Sequence, residues 1–451
     1  MRCLLVNPVS NGSLLARYLI SRGVTCDAVI ELDKVAKMGA VSEARQSDFD
    51  GSLYERIYRS EDDASSAEDV SYDAVIAGSE NGVATAERLA QHFGLPGNDP
   101  DTTLYRTDKA VMQEVLRAAG LQSATTRRVF KGDDVVAIAA ALGGYPIILK
   151  PAASAGSEGV VLCTTPKELL TAWAAIDWGA FSPTWHDNDS FVLQSYLEGP
   201  EFCVDLVAKD GLFAVSAISR YIRCGELAAC EFPFVKAFKI PCPIETPTSQ
   251  KLAAYAKSCA EVLAVREGPL HLEAIFTSNG PVLVEVGARL HGTQLPSFLR
   301  HSYQHDLLEQ VFEAYFKRDL PLSDAVFTTP IVQRYVVATK EGHFKGLTPS
   351  IEQELKKLDT CLANVISIPN GSIFPRTESL FDVPVQGFFG GGEIGQIWRD
   401  VLAHQDLIGD LFHEALALED QTEKLGAIHQ KLICPTALAP ISEKPNDHAA
   451  L

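Results

Sequence analysis

The chain has 451 residues, more than one hydrophobic core serves, so about two to four domains are expected. Hydrophobic residues make up 46% and charged residues 22%, an ordinary globular balance, and a net charge of −19 argues against a basic nucleic-acid surface. No apolar run is long enough to cross a bilayer, and the ten cysteines show no Cys-x-x-Cys pairing, so a reduced, cytoplasmic protein without a structural zinc is expected.

In chain order, Cys3–Val6 reads as a buried strand, Ser13–Arg22 as a helix with Leu14, Leu15, Tyr18 and Leu19 on one face, and Gly23 as its stop. Ala28–Leu32 and Asp73–Gly78 read as further strands, the second followed by a helix ending near Phe93-Gly94. Strands alternating with helices imply a small parallel α/β domain, and the lack of Gly-x-Gly-x-x-Gly disfavours a dinucleotide site in it. Residues 40 to 70 give no clear pattern. After a polar link at Gly97–Thr103, Asp108 is placed to cap a helix with Val111, Met112, Val115 and Leu116 at helical spacing, stopped by Gly120. Tyr145–Lys150 and Gly159–Cys163 read as paired strands around a small-residue loop, Phe191–Gln194 and Glu201–Val207 as strands around a Gly-Pro turn, and His271–Val286 as a hairpin. The end of the chain, from about Cys434, reads as a mobile tail rich in Pro, Ala and charge.

The hairpin carries the first chemical signal. A three-residue loop centred on Asn279 sets Thr277 against Pro281, Ile275 against Leu283 and Glu273 against Glu285. Opposed residues on one face have Cβ atoms about 4.5–5.5 Å apart. Two such carboxylates repel unless a cation lies between them. A hard divalent ion such as Mg²⁺ fits, and from the pair alone so does a pair of solvated acids. Arg289, on the same face of an extended chain as Glu285, is suited to stabilising charge that develops on a phosphoryl or acyl group. Lys150 ends a strand and enters the loop Pro151–Gly159, where small side chains let backbone N–H groups approach phosphate. This is not a Walker A loop, and alone it also fits a flexible connection. Phe191–Glu201 combines an apolar strand with a linker able to hydrogen-bond an adenine edge, or simply a strand, turn and strand.

Taken in order, Lys109, Ile148-Leu-Lys150-Pro with its loop, Gln194–Glu201, His271-Leu-Glu273 and Val284-Glu285-Val-Gly-Ala-Arg289 resemble the ATP-grasp superfamily of carboxylate–amine ligases. Tyr335–Gly346 and Pro375–Ser379 resemble the C-terminal region of the bacterial L-amino-acid (dipeptide) ligases. The resemblance implies an ATP-grasp fold, α/β and in part α+β, behind a Rossmann-like α/β domain at 1–105. A central lobe would then cover 106–190 and a C-terminal lobe 191–432, with a ligase-type subdomain from about 325 and a tail at 433–451. It also implies ATP and Mg²⁺ or Mn²⁺ as cofactors. Lys109 and Lys150 would contact the nucleotide, and Ser154, Ala155, Gly156 and Ser157 would cover its phosphates. Gln194, Tyr196 and Leu197 would line the adenine and Glu201 would hold the ribose. Glu273 and Glu285 would bind the metal, and Arg289 would steady the acyl phosphate. Gly287 stands where many relatives place a third metal ligand, Asn. Glu226, His271, Gly287 and His291 are candidates for substrate contact, each with a structural alternative.

The implied partners are small-molecule carboxylate and amine substrates, with no nucleic acid or membrane, and with a homodimer as the default assembly. Other ATP-grasp enzymes, a small-molecule kinase and a non-catalytic nucleotide-binding protein are the rival readings. Intact Glu273, Glu285 and Arg289 argue against the last.

Overall fold

A computed structural model describes residues 1–433 apart from 10, 32–33, 35–48, 155, 183–184, 186, 228–232, 293–294, 415–417 and 419–420. Ala155, residues 40–48 of the unplaced 40–70 segment and residues 434–451 of the tail lie outside the described residues.

The first sheet is parallel throughout. Arg2–Val6 lies between Thr25–Val29 and Ala74–Ala77, and Ile57–Tyr58 pairs on the outer edge of Thr25–Val29. The second strand begins earlier than the expected Ala28, because Thr25 and Cys26 pair with Arg2 and Cys3. Helices Asn11–Ser21 and Val83–His92 bury Leu15, Leu19, Val83 and Leu89 at this sheet. Gly23 adopts φ +80°, the left-handed conformation that ends the first helix.

Asp108 caps Lys109–Ala118 by accepting from the backbone N–H of Ala110 and Val111. That helix buries Met112 and Leu116. A small antiparallel sheet follows in the order Thr126–Val129, Phe191–Ser195, Ile147–Pro151, Val161–Cys163. Its own core contains Val129, Ile147, Leu149, Phe191 and Leu193.

The third sheet is antiparallel and eight-stranded. Its order is Gly280–Gly287, Gly268–Thr277, Glu201–Lys209, Leu212–Arg223, Lys236–Cys242, Ile331–Tyr335, Val385–Gly390, Cys361–Ile366. Strand alternation divides its chemistry. Phe202, Val204, Leu206, Leu270, Leu272 and Ala274 belong to the apolar core, whereas Glu201, Cys203, Asp205, His271 and Glu273 have the opposite parity. The segment 196–200 joins the small sheet to this large one. Among the described residues no helix is long and apolar enough to cross a membrane.

Candidate active site

Glu273 and Glu285 are direct partners in the hairpin. Its loop differs from the expected one. Thr277 pairs with Gly280, Phe276 with Pro281 and Ile275 with Val282, leaving only Ser278 and Asn279 in the turn. The Thr277 hydroxyl donates to the Gly280 carbonyl at 2.8 Å and accepts from the Asn279 N–H, which closes this tighter loop. A β-bulge between the Ala274–Leu283 and Glu273–Glu285 pairs then absorbs Val284 and returns the acids to each other.

The two glutamate side chains are 12% and 24% exposed. Burial alone would raise the Glu273 carboxyl, but Lys236, His271 and Lys239 outweigh it and hold it well below the usual carboxylate range. An ionised acid facing a second acid at a cleft fits a hard divalent cation. Lys109 approaches from the capped helix, with Nζ 3.3 Å from Glu285 Oε2, and also donates to the Ser154 carbonyl. Its backbone N–H donates to the Ala152 carbonyl at 3.0 Å, which ties the helix to the end of the Ile147–Pro151 strand. Lys150 is buried on that strand; desolvation first, then the neighbouring Lys109, pull its ammonium down to about 8.

A cleft of about 340 Å³, open to solvent, is lined by residues that include Glu80, Lys109, Ser154, His271, Glu285 and Arg289, and Glu273 adjoins it as the hairpin partner of Glu285. Arg289 Nε donates to Glu80 Oε2 at 2.7 Å. Glu80 comes from the first sheet, just beyond the carboxyl end of Ala74–Ala77, the end at which parallel sheets build their sites. That position was the one signal that could have found it. Gly287 permits the pairing, since a Cβ there would lie 2.6 Å from Glu80 Oε2.

Gln194 is buried and its Nε2 donates to Thr126 Oγ1 at 2.9 Å, whereas Tyr196 and Leu197 are half-buried in the connection between the sheets. Glu201 is engaged by Lys236, Nζ to Oε1 at 2.6 Å; burial pushes the lysine down, but Glu201 and Glu273 together outweigh it and hold the ammonium above its ordinary value. Lys236 was not anticipated. A register shift between Ile222 and Arg223 brings Lys236 and Lys239 to one ring: their ammonium groups lie 4.9 and 4.7 Å from the Tyr221 centroid. Gly156, at φ +70°, and Ser157, at φ +64°, take left-handed backbone in the small-residue loop after Pro151. The Gly156 carbonyl accepts from Leu380 N–H at 3.1 Å, so the loop rests on the segment that follows Pro375–Ser379.

The substrate candidates divide. His271 lines the cleft; its Nδ1 donates to Asp205 Oδ1 at 2.7 Å and its Nε2 lies 3.5 Å from Glu273 Oε1. His291 is buried beside it, with ring centroids 3.9 Å apart. Glu226 is turned to Arg220, 2.8 Å away, and to the Arg223 N–H, and does not border the cleft.

Residues 143–297 match the ATP-grasp domain family, and the three sheets have the fold of such proteins. The chain resembles the L-amino acid ligase from Bacillus licheniformis in fold, with a TM-score of 0.66 at 16% identity, covering 90% of this chain and 96% of that one. In sequence it is similar to the dapdiamide A synthase of Enterobacter agglomerans, 28% identical over 53% of this chain and 56% of that protein. It is also similar to the L-arginine-specific L-amino acid ligase of Bacillus subtilis, 25% identical over 68% of this chain and 72% of that protein. The match thus spans little more than half the length of the first of these two relatives.

Proposed function

We propose that the chain is an ATP-dependent ligase that joins the carboxylate of an amino acid, or a similar acid, to the amine of a second amino acid through an acyl phosphate. The observation that carries this reading is the convergence of Glu285, Lys109 and Arg289 at one cleft, with Glu273 paired to Glu285 across the hairpin. The proposed division of labour places the phosphate-covering loop in 106–190, the metal and acyl chemistry in 191–432, and Glu80 of the region 1–105 at the back of the acyl site.

In this reading Lys109 and Lys150 neutralise the nucleotide phosphates, and Gln194, Tyr196, Leu197 and Glu201 hold the nucleoside. Glu273 and Glu285 would hold Mg²⁺ or Mn²⁺, which when bound supplies charge neutralisation for phosphoryl transfer. A substrate carboxylate oxygen bonds to the γ-phosphorus as the β,γ-bridging bond breaks, giving an acyl phosphate and ADP. The amine nitrogen then bonds to the acyl carbon, phosphate leaves, and the amine loses a proton. Arg289, oriented by Glu80, faces the oxygens on which charge accumulates. Ser154–Ser157 shield the intermediate from water.

ADP and phosphate release from Mg·ATP, measured with amino acids singly and in pairs and with mass detection of products, tests the reading. Release that requires two amino acids and yields a condensed product supports it. Release with one acid and no amide favours a kinase.

A further inference from the structure

Beside the proposed ATP site lies a second group of ligand side chains to which the steps proposed above assign no role. Cys203, Asp205, His271 and His291 each offer one ligand atom, all within 4.8 Å of one another, and all four residues are buried. They converge because Cys203 and Asp205 alternate along one strand, His271 pairs with Asp205 on the next, and His291 follows the hairpin. Only His271 borders the cleft.

We propose that these four residues form a site for a borderline-soft divalent cation of the Zn²⁺ type. The donor set of one thiolate, one carboxylate and two imidazoles suits such an ion and not Mg²⁺. Bonds of about 2.0–2.1 Å in a tetrahedron place ligand atoms about 3.3 Å apart. Asp205 Oδ1 already stands 2.7 Å from His271 Nδ1 and 3.2 Å from His291 Nδ1. The four ligand atoms, all within 4.8 Å of one another, need only small side-chain movements to close on an ion. With His271 Nδ1 on the ion, its Nε2–H points to Glu273 Oε1, 3.5 Å away, the carboxylate–histidine–metal pattern that orients a ligating imidazole. Lys239 competes for the His291 ring: its Nζ lies 2.6 Å from Nε2 and 3.0 Å from Nδ1, so the ammonium must move when an ion enters. When the ion takes Nδ1, Nε2 carries the proton and the ammonium turns to the Tyr221 hydroxyl, 3.4 Å away. Through Glu273 the ion reaches the nucleotide site, so its occupancy sets the position of an acid proposed for Mg²⁺.

The purified full chain, stripped with chelator and dialysed against Zn²⁺ or Co²⁺, tests this by metal analysis and absorption spectra, independently of any ligase activity. One equivalent per chain is expected, with a thiolate-to-Co²⁺ charge-transfer band. Cys203→Ser abolishes that band and weakens binding at least about tenfold, Lys239→Met tightens it, and Glu285→Gln retains the ion. No uptake by the wild type, unchanged affinity in Cys203→Ser or Lys239→Met, or loss of the ion in Glu285→Gln overturns the assignment.

Discussion

Glu273 and Glu285 face each other across the hairpin although its loop is one residue shorter than the turn signal implies, because the bulge at Val284 restores their register. The pairing of the acids thus has two separate structural supports. Glu273→Gln or Glu285→Gln is expected to lower ATP turnover at least about a hundredfold, the scale of losing a group that stabilises developing charge. Each also raises the Mg²⁺ concentration needed for half-maximal rate. A Mg²⁺ titration of ADP release checks this, and unchanged demand in both variants sinks the metal assignment.

In the proposed reading Lys150 sets a pH limit on nucleotide binding. Its ammonium is pulled from the ordinary 10.5 to about 8, and bound phosphate favours the protonated form. Binding therefore takes up a proton near pH 8, and affinity falls as pH rises beyond it, by up to about tenfold per unit. Calorimetry of ATP binding at pH 7, 8 and 9 in two buffers of different ionisation enthalpy reads both effects. Lys150→Met removes the dependence along with most of the affinity.

Gly287→Ala tests the Glu80–Arg289 pair without touching either residue. The added methyl meets the carboxylate end of Glu80 at 2.6 Å and the Arg289 guanidinium carbon at 3.3 Å. Flexible side-chain ends can move aside, so the fold survives, but Arg289 loses its orientation. A fall in kcat of about tenfold or more, with ATP affinity unchanged, is expected. An unaltered kcat would show that the pairing does not serve the chemistry.

Phe381 packs at Gly156 in the loop proposed to cover the phosphates. Its ring lies 2.9 Å from where a Cβ on Gly156 would be, beside the bond from Leu380 N–H to the Gly156 carbonyl. Phe381→Ala is expected to raise the KM for ATP severalfold and to increase phosphate release that yields no amide, because a looser loop admits water. Parallel assays of phosphate and condensed product measure the leak.

His429 makes the C-terminal region acid-sensitive. It is fully buried, neither ring nitrogen has a hydrogen-bond partner among the described residues, and burial pulls its pKa from 6.5 to about 4. The unfolded chain takes the proton below about 6.5 and the folded chain only below about 4, so stability is full above 6.5 and is lost as pH falls towards 4. His429→Leu should recover about 2 kcal/mol at pH 5 and show little pH-linked change at pH 7.5. Urea unfolding at both values gives the comparison, and equal shifts at both would rule out the titration.

Local signals carried much of the architecture. The Asp108 cap, the Gly23 stop and the alternating strands depend on residues near one another in sequence, where helix and strand periods act directly. The Glu273–Glu285 pairing was legible for the same reason: a hairpin is a local structure, and a one-residue change of loop was offset by a one-residue bulge. The positions of Lys150 on a strand and of Tyr196 and Leu197 between two strands were equally accessible. The parity of Asp205 with Glu201 along one strand was also open to reading, though its partner was not.

Tertiary structure decided who meets whom. Glu80 reaches Arg289 across 209 residues, and Asp205 reaches His271 across 66. Lys236 joins Glu201 because a register shift turns two lysines to the Tyr221 ring. The sequence by itself determined the elements and the kinds of group they carry, since propensity and alternation act over a few residues. Only the packing of three sheets determined which of those groups share a cleft, because such contacts follow from strand order and bulges that no local pattern encodes.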